Sequence, residues 1–152
     1  MNKRTFAYLM MSGLFAISFA GCAGKAKARV EKGEMSETMD LEPTKKKYLE
    51  VVGIGGADQT LTNSTQRKAT SRNAAVVDGQ YRLLSMVKGL RLVGGITVEK
   101  AIETDSKMQT TVDAELKAAE EVKYEWTKDD GCVVTMRLDK SRLAKMMGVE
   151  FE

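Results

Sequence analysis

Val122-Lys-Tyr-Glu-Trp-Thr-Lys-Asp-Asp-Gly-Cys-Val-Val-Thr-Met-Arg-Leu138 is the most legible stretch of this chain. Val122, Tyr124 and Trp126 alternate with Lys123, Glu125 and Thr127. Beyond the Asp130-Gly131 step, Cys132, Val134, Met136 and Leu138 alternate with Val133, Thr135 and Arg137. Period-two patterning on both sides of Asp-Gly predicts a β-hairpin with one buried face. Cys132 lies on that face, where a thiol without a basic neighbour behaves as a small hydrophobe. Asp129 and Asp130 are an adjacent acid pair, and acids in a hairpin connection read as turn residues rather than as an acid/base couple.

Working outward, Asp139 is placed to cap a short terminal helix through Leu143 and Met146. Upstream, Asp105 or Ser106 caps a helix carrying Met108, Val112, Leu116 and Ala119 at spacings of four and three. Leu90–Val93 and Ile96–Val98, separated by Gly94-Gly95, read as extended pieces. Before them, Asn63-Ser-Thr-Gln66 resembles a capping box and predicts a long helix to about Lys88, closed by Gly89. On a wheel, Val76, Val77, Leu83, Leu84 and Val87 share a face with Ala69, and Asn73 and Gln80 fall inside that stripe. Asp78 and Arg82 are spaced to pair, and Gly79 marks a close approach to another element. Tyr48–Gly55 is a β-rich run. Its glycines do not complete a G-x-G-x-x-G motif, because Asp58 stands at the third position, and no G-K-[ST] sequence occurs. They read as turn or bulge glycines.

The N-terminal part has a different composition. A basic opening, Lys3-Arg4, precedes an apolar run from Phe6 to Ala20 that matches a secretory signal and is shorter than a bilayer span. Phe19-Ala20-Gly21-Cys22 then resembles the lipobox of bacterial lipoproteins. The resemblance implies cleavage between Gly21 and Cys22 and acylation of the Cys22 thiol, with palmitate a typical acyl group. Two or three chains on Cys22 would hold the protein on a bilayer, since each buried methylene contributes roughly 0.8 kcal/mol. Ala23 is not the aspartate associated with inner-membrane retention, so the outer membrane is the expected address. From 22 to 47 the chain is polar and charged and is expected to be a flexible tether, leaving a single domain over 48–152. Lys45-Lys46-Lys47 is a solvated charge run or, as the alternative, a grip on anionic headgroups.

Composition excludes several chemistries. With Lys3 and Arg4 removed, 22 basic side chains face 21 acidic ones, so no basic patch points to nucleic acid. There is no histidine anywhere, which removes Ser-His-Asp and Cys-His catalysis and imidazole metal sites. With Cys22 acylated, Cys132 stands alone and no intramolecular disulfide is expected. No catalytic residue, metal or cofactor is expected.

Ala74–Leu138 carries a family resemblance. An alanine-rich helix with Asp78 and Arg82-Leu-Leu84, then Val87-Lys-Gly-Leu-Arg-Leu92, Thr97-Val98, Asp105, Leu116-Lys-Ala-Ala119 and the Asp130-Gly131 hairpin resemble the LPP-twenty family of bacterial outer-membrane lipoproteins. Relatives of that family include the lipoprotein of the flagellar basal disc and the N-terminal domain of a flagellar H-ring protein. The resemblance implies an α+β fold, similar to dodecin-like modules, with a long helix packed on a small antiparallel β-sheet, a second shorter helix and a C-terminal β-hairpin. It implies a structural lipoprotein at the periplasmic face of the outer membrane, either a homo-oligomer or docked on an envelope or flagellar partner. The alternative reading is a module that captures a small apolar ligand or peptide, with Met108, Met136, Met146 and Met147 as flexible lining.

Overall fold

The structure, a computed structural model, describes residues 27–39 and 47–152. Three strands form an antiparallel sheet: β3 (Tyr48–Gly55), β4 (Glu120–Trp126) and β5 (Cys132–Asp139), in the order β3-β5-β4. A separate pair, β1 (Lys27–Glu31) and β2 (Glu34–Met39), forms a short hairpin. Among the described residues there are also four helices: α1 (Ser64–Lys88), α2 (Val98–Thr104), α3 (Ser106–Lys117) and α4 (Lys140–Met147). The α+β architecture expected from the sequence, a long helix on a small antiparallel sheet, is the one observed.

The caps explain the helix boundaries. Asn63 Oδ1 accepts the Thr65 N–H at 2.9 Å, Asp105 Oδ1 accepts the Lys107 N–H at 2.8 Å, and Asp139 Oδ1 accepts the Ser141 N–H at 2.8 Å. Each satisfies an amide that a helix start would otherwise leave bare. At Asn63 the bond goes to Thr65 rather than to Gln66, so the start is a simple cap and not the capping box expected.

One face of the sheet carries Leu49, Val51, Val134, Met136 and Leu138, all buried against α1 and the smaller helices. Leu83 and Val87 of α1, Val98 of α2, Val112 and Leu116 of α3 and Leu143 of α4 close the same core. Each such side chain contributes roughly 1.5–3 kcal/mol of burial.

The seating of α1 differs from the wheel expectation. Its buried strip is Ser71, Ala75, Gly79, Leu83 and Val87, while Val77 is 64% exposed and Ala69 and Asn73 are exposed. The reason lies in the strand beneath. A Cβ on Gly53 would stand 2.6 Å from the Gly79 nitrogen, and one on Gly55 would stand 2.5 Å from the Ala75 nitrogen. Backbone therefore rests almost on backbone, and the helix turns its smallest residues inward. Gly53 and Gly55 are close-packing glycines inside a regular strand, not the turn or bulge glycines expected. Gly79 does mark a close approach, to Gly53 and Met136.

Three further differences concern the surroundings of the sheet. Val52 and Val133, on the side of the sheet away from α1, are also buried, so the hairpin has more than the single buried face its alternation suggests. Residues 27–39, inside the 22–47 segment expected as a flexible tether, form the β1–β2 hairpin. Lys32 and Gly33 both have positive φ (53° and 80°), the pairing a tight hairpin turn requires. The Lys128 N–H donates to the Gly33 carbonyl at 3.0 Å and Lys128 Nζ meets Glu34 at 2.8 Å, docking that turn on the β4–β5 connection. Finally, α2 begins at Val98, the last residue of the piece read as extended, and fills residues 99–104, for which no element was expected; the extended pieces pair only as isolated bridges, Arg91–Thr97 and Leu92–Phe151.

Candidate functional site

The residues assigned to lipid attachment and cleavage, Cys22 and Gly21, lie outside the described residues, as do Lys45 and Lys46. Lys47 is described: its Nζ lies 3.7 Å from Asp139 and 5.0 Å from the centre of the Tyr48 ring. Among the described residues no helix is long and apolar enough to cross a membrane.

Polar side chains converge at both ends of the sheet. At the hairpin end, Asp130 sits at the turn with φ 63°, a left-handed conformation that aspartate tolerates better than most residues. Its carboxylate receives Arg67 at 2.7 Å, Lys68 at 3.7 Å and the Ser64 hydroxyl at 3.0 Å, all from the start of α1. The Ser71 hydroxyl donates to the Asp130 carbonyl at 2.6 Å. Burial pushes the Asp130 carboxyl up, but the bonds from Arg67 and Ser64 and the two cations outweigh it and hold the group below its ordinary value. Asp129 is lowered by the Thr127 hydroxyl that donates to it. The two acids thus have separate partners: Asp130 fastens the hairpin to the helix, and Asp129 is held within the hairpin connection.

At the opposite end lies a cavity of about 260 Å³ lined by Tyr48, Glu115, Glu120, Arg137, Asp139 and Arg142 among others. Two carboxylates here are nearly buried, Glu50 at 5% and Glu115 at 4% exposure. Arg137 holds Glu50 at 2.7 Å and Arg142 holds Glu115 at 2.9 Å. Buried charge demands such pairing. Arg137 also stacks on Tyr48, with its guanidinium carbon 4.9 Å from the ring centre. Each acid is engaged by a guanidinium, so the arrangement offers ion-paired structure rather than a free general base. Among the described residues, no group of three or more acidic, cysteine or histidine side chains is placed to hold a metal ion.

Cys132 is where the hairpin alternation puts it, buried on the face shared with Val134 and Met136. Burial pushes its thiol up; Arg72 opposes this and Glu121 adds to it. Met136 is in the core, Met108 and Met147 pack against it, and Met146 is exposed on a groove of about 390 Å³ between α3 and α4.

Sequence reasoning missed the clamp on Asp130 and the two buried ion pairs. The signal for the first is Arg67-Lys68 in the opening turns of a helix, where cations oppose the macrodipole and so require an outside acid. Nothing local marks Glu50 or Glu115 as buried.

Compared with protein-family models, curated proteins and solved structures, the chain finds no match.

Proposed function

We propose that this chain is a lipid-anchored outer-membrane lipoprotein whose domain is a structural or assembly component of the cell envelope. The observation that carries this reading is the order of basic opening, apolar run and Ala20-Gly21-Cys22. Cys22 is the lipid-attachment site, and cleavage between Gly21 and Cys22 leaves it as the first residue of the mature protein. The domain's chemistry supports a non-enzymatic role, because its buried acids are held in ion pairs and its thiol is enclosed. Its partners are membrane lipid through Cys22, and a second copy or an envelope assembly, with a flagellar one suggested by the family resemblance. The domain faces the periplasm.

Replacing Cys22 with Ser tests the anchor. The wild-type chain should incorporate labelled palmitate and fractionate with membranes, and the variant should do neither. A variant that stays wholly in the membrane fraction would overturn the assignment.

A further inference from the structure

Resting on the reading above that the domain self-associates, we propose that β4 is a homotypic docking edge. Two copies pair antiparallel through β4 about a two-fold axis at Tyr124, joining their sheets into one of six strands.

The two outer strands of the sheet are treated differently by the fold. On β3, the Ile54 N–H donates to Asp78 Oδ2 at 2.9 Å and β2 comes close, so that edge is partly covered. On β4, no strand among the described residues pairs with the outer side. Val122 and Tyr124, 41% and 55% exposed, give the open strand apolar surface among the exposed charges of Glu120, Glu121 and Lys123. An unpaired strand edge of this kind is a template for another strand.

The register follows from the hairpin. The Thr127 N–H donates inward to the Gly131 carbonyl at 2.9 Å. In an antiparallel ladder inward and outward groups alternate, so the amide and carbonyl of Trp126 and Tyr124 point away from β5. A residue can face its own copy across a two-fold axis either by exchanging both bonds or in a non-hydrogen-bonded pair. Centring on Lys123 or Glu125, whose groups point inward, would set like charges opposite each other, whereas Tyr124 can exchange both bonds with its copy. Centring the pair on Tyr124 sets Lys123, which pairs with Glu125 of its own chain at 2.9 Å, opposite the partner's Glu125 as well, twice over, and brings Val122, at the bulge, nearest the partner's Trp126. Opposite charges and aromatic to β-branched contacts are the favourable cross-strand pairs. Centring on Val122 would place the axis itself on the bulge between Glu121 and Lys123, where the regular ladder fails, whereas centring on Tyr124 leaves the bulge at the margin of the pair. Centring on Trp126 would set Tyr124 against the partner's Lys128, in the hairpin connection.

The surroundings are already ordered for this. Arg72 of α1 is held by Glu121 at 2.6 Å and lies 5.8 Å from the centre of the Tyr124 ring. The ring thus has a contact in its own chain before any partner arrives, which lowers the ordering cost of association. Lys123 blocks misregistered pairing, because a lysine facing anything but an acid on a strand edge is unfavourable. Copies anchored on one membrane meet at a raised effective concentration, so a short interface suffices.

The test uses the full acylated chain in detergent micelles, carrying Lys123→Cys or Glu125→Cys. In the proposed register these positions form a non-bonded pair with Cα atoms about 4.5 Å apart, within disulfide range, whereas two copies of Lys123 are roughly 8 Å apart, outside it. Mixing the two variants under mild oxidation should give covalent dimers, and either alone should give few. Lys123→Glu should weaken dimerisation about tenfold or more, and adding Glu125→Lys should restore it. If the wild type dimerises but cross-links form without regard to these positions, the β4 register is wrong while self-association stands. A wild type that remains monomeric at every concentration overturns both.

Discussion

Gly53→Ala is the sharpest test of how α1 is seated. The new methyl would lie 2.6 Å from the Gly79 nitrogen and 2.9 Å from its Cα, both backbone atoms of a helix that cannot rotate a side chain away. To restore ordinary contact, α1 must lift from β3 by most of an ångström. That movement loosens Leu83 and Val87, which are fully buried beneath the same helix. Overpacking of a well-filled core costs about 1–3 kcal/mol, and with backbone on both sides the upper end applies, about 3 kcal/mol. At an m value of about 1.5 kcal/mol/M, this lowers the urea midpoint by about 2 M. Gly56→Ala is the matched control, since nothing lies near its added methyl, and should leave the midpoint unchanged or slightly raised. Gly79→Ala should cost less than Gly53→Ala, because its main obstacle is the flexible Met136 thioether at 2.5 Å. Circular dichroism followed through urea unfolding reads all three. Equal midpoints for Gly53→Ala and Gly56→Ala would refute the backbone-on-backbone packing.

The clamp on Asp130 predicts a pH dependence. Because the folded carboxyl is held below its ordinary value, its contribution is complete above the ordinary carboxylate range, near pH 4, and is lost as pH falls through the lower folded value. Thermal melts should therefore show Asp130→Asn less stable than wild type at pH 7, with the difference shrinking below about pH 4; a constant difference would contradict the clamp. Cys132 should resist a thiol reagent in the native Cys22→Ser protein, where it is the sole thiol, and react fully once unfolded. Stoichiometric labelling of the folded protein would show that the strand does not enclose it. Arg142→Met should cost about 1–3 kcal/mol in urea by leaving Glu115 buried without its cation, and adding Glu115→Gln should recover part of that loss. Additive losses would mean the two are uncoupled.

Elements whose boundaries are set by their own residues were legible in the sequence. Tyr48–Gly55 and the helix ends at Asn63, Asp105 and Asp139 depend on local propensity and on caps that bond two or three residues away. The hairpin was legible because alternation and turn chemistry coincide around residues 127–131. The α2 segment was not, since a seven-residue helix carries too little periodicity to outweigh its β-branched start. The β1–β2 hairpin was hidden by its charged composition, although Lys32-Gly33 gave a turn signal.

What the sequence carried by itself is the pattern that makes Cys22 a candidate anchor, the order of β3, α1, α3, β4, β5 and α4, and the face on which Cys132 lies, because each depends on short-range pattern. Only the tertiary structure decided which stripe of α1 is buried, since that depends on Gly53 and Gly55 removing side chains from a strand nearly twenty residues or more away. It alone decided that Asp130 fastens the turn to α1 and that Glu50 and Glu115 are buried with arginines, contacts spanning 63, 87 and 27 residues. It also left β4 as the open edge of the sheet, because which strand lies outermost is a property of how β3 and β4 both choose β5, and no single segment contains that choice.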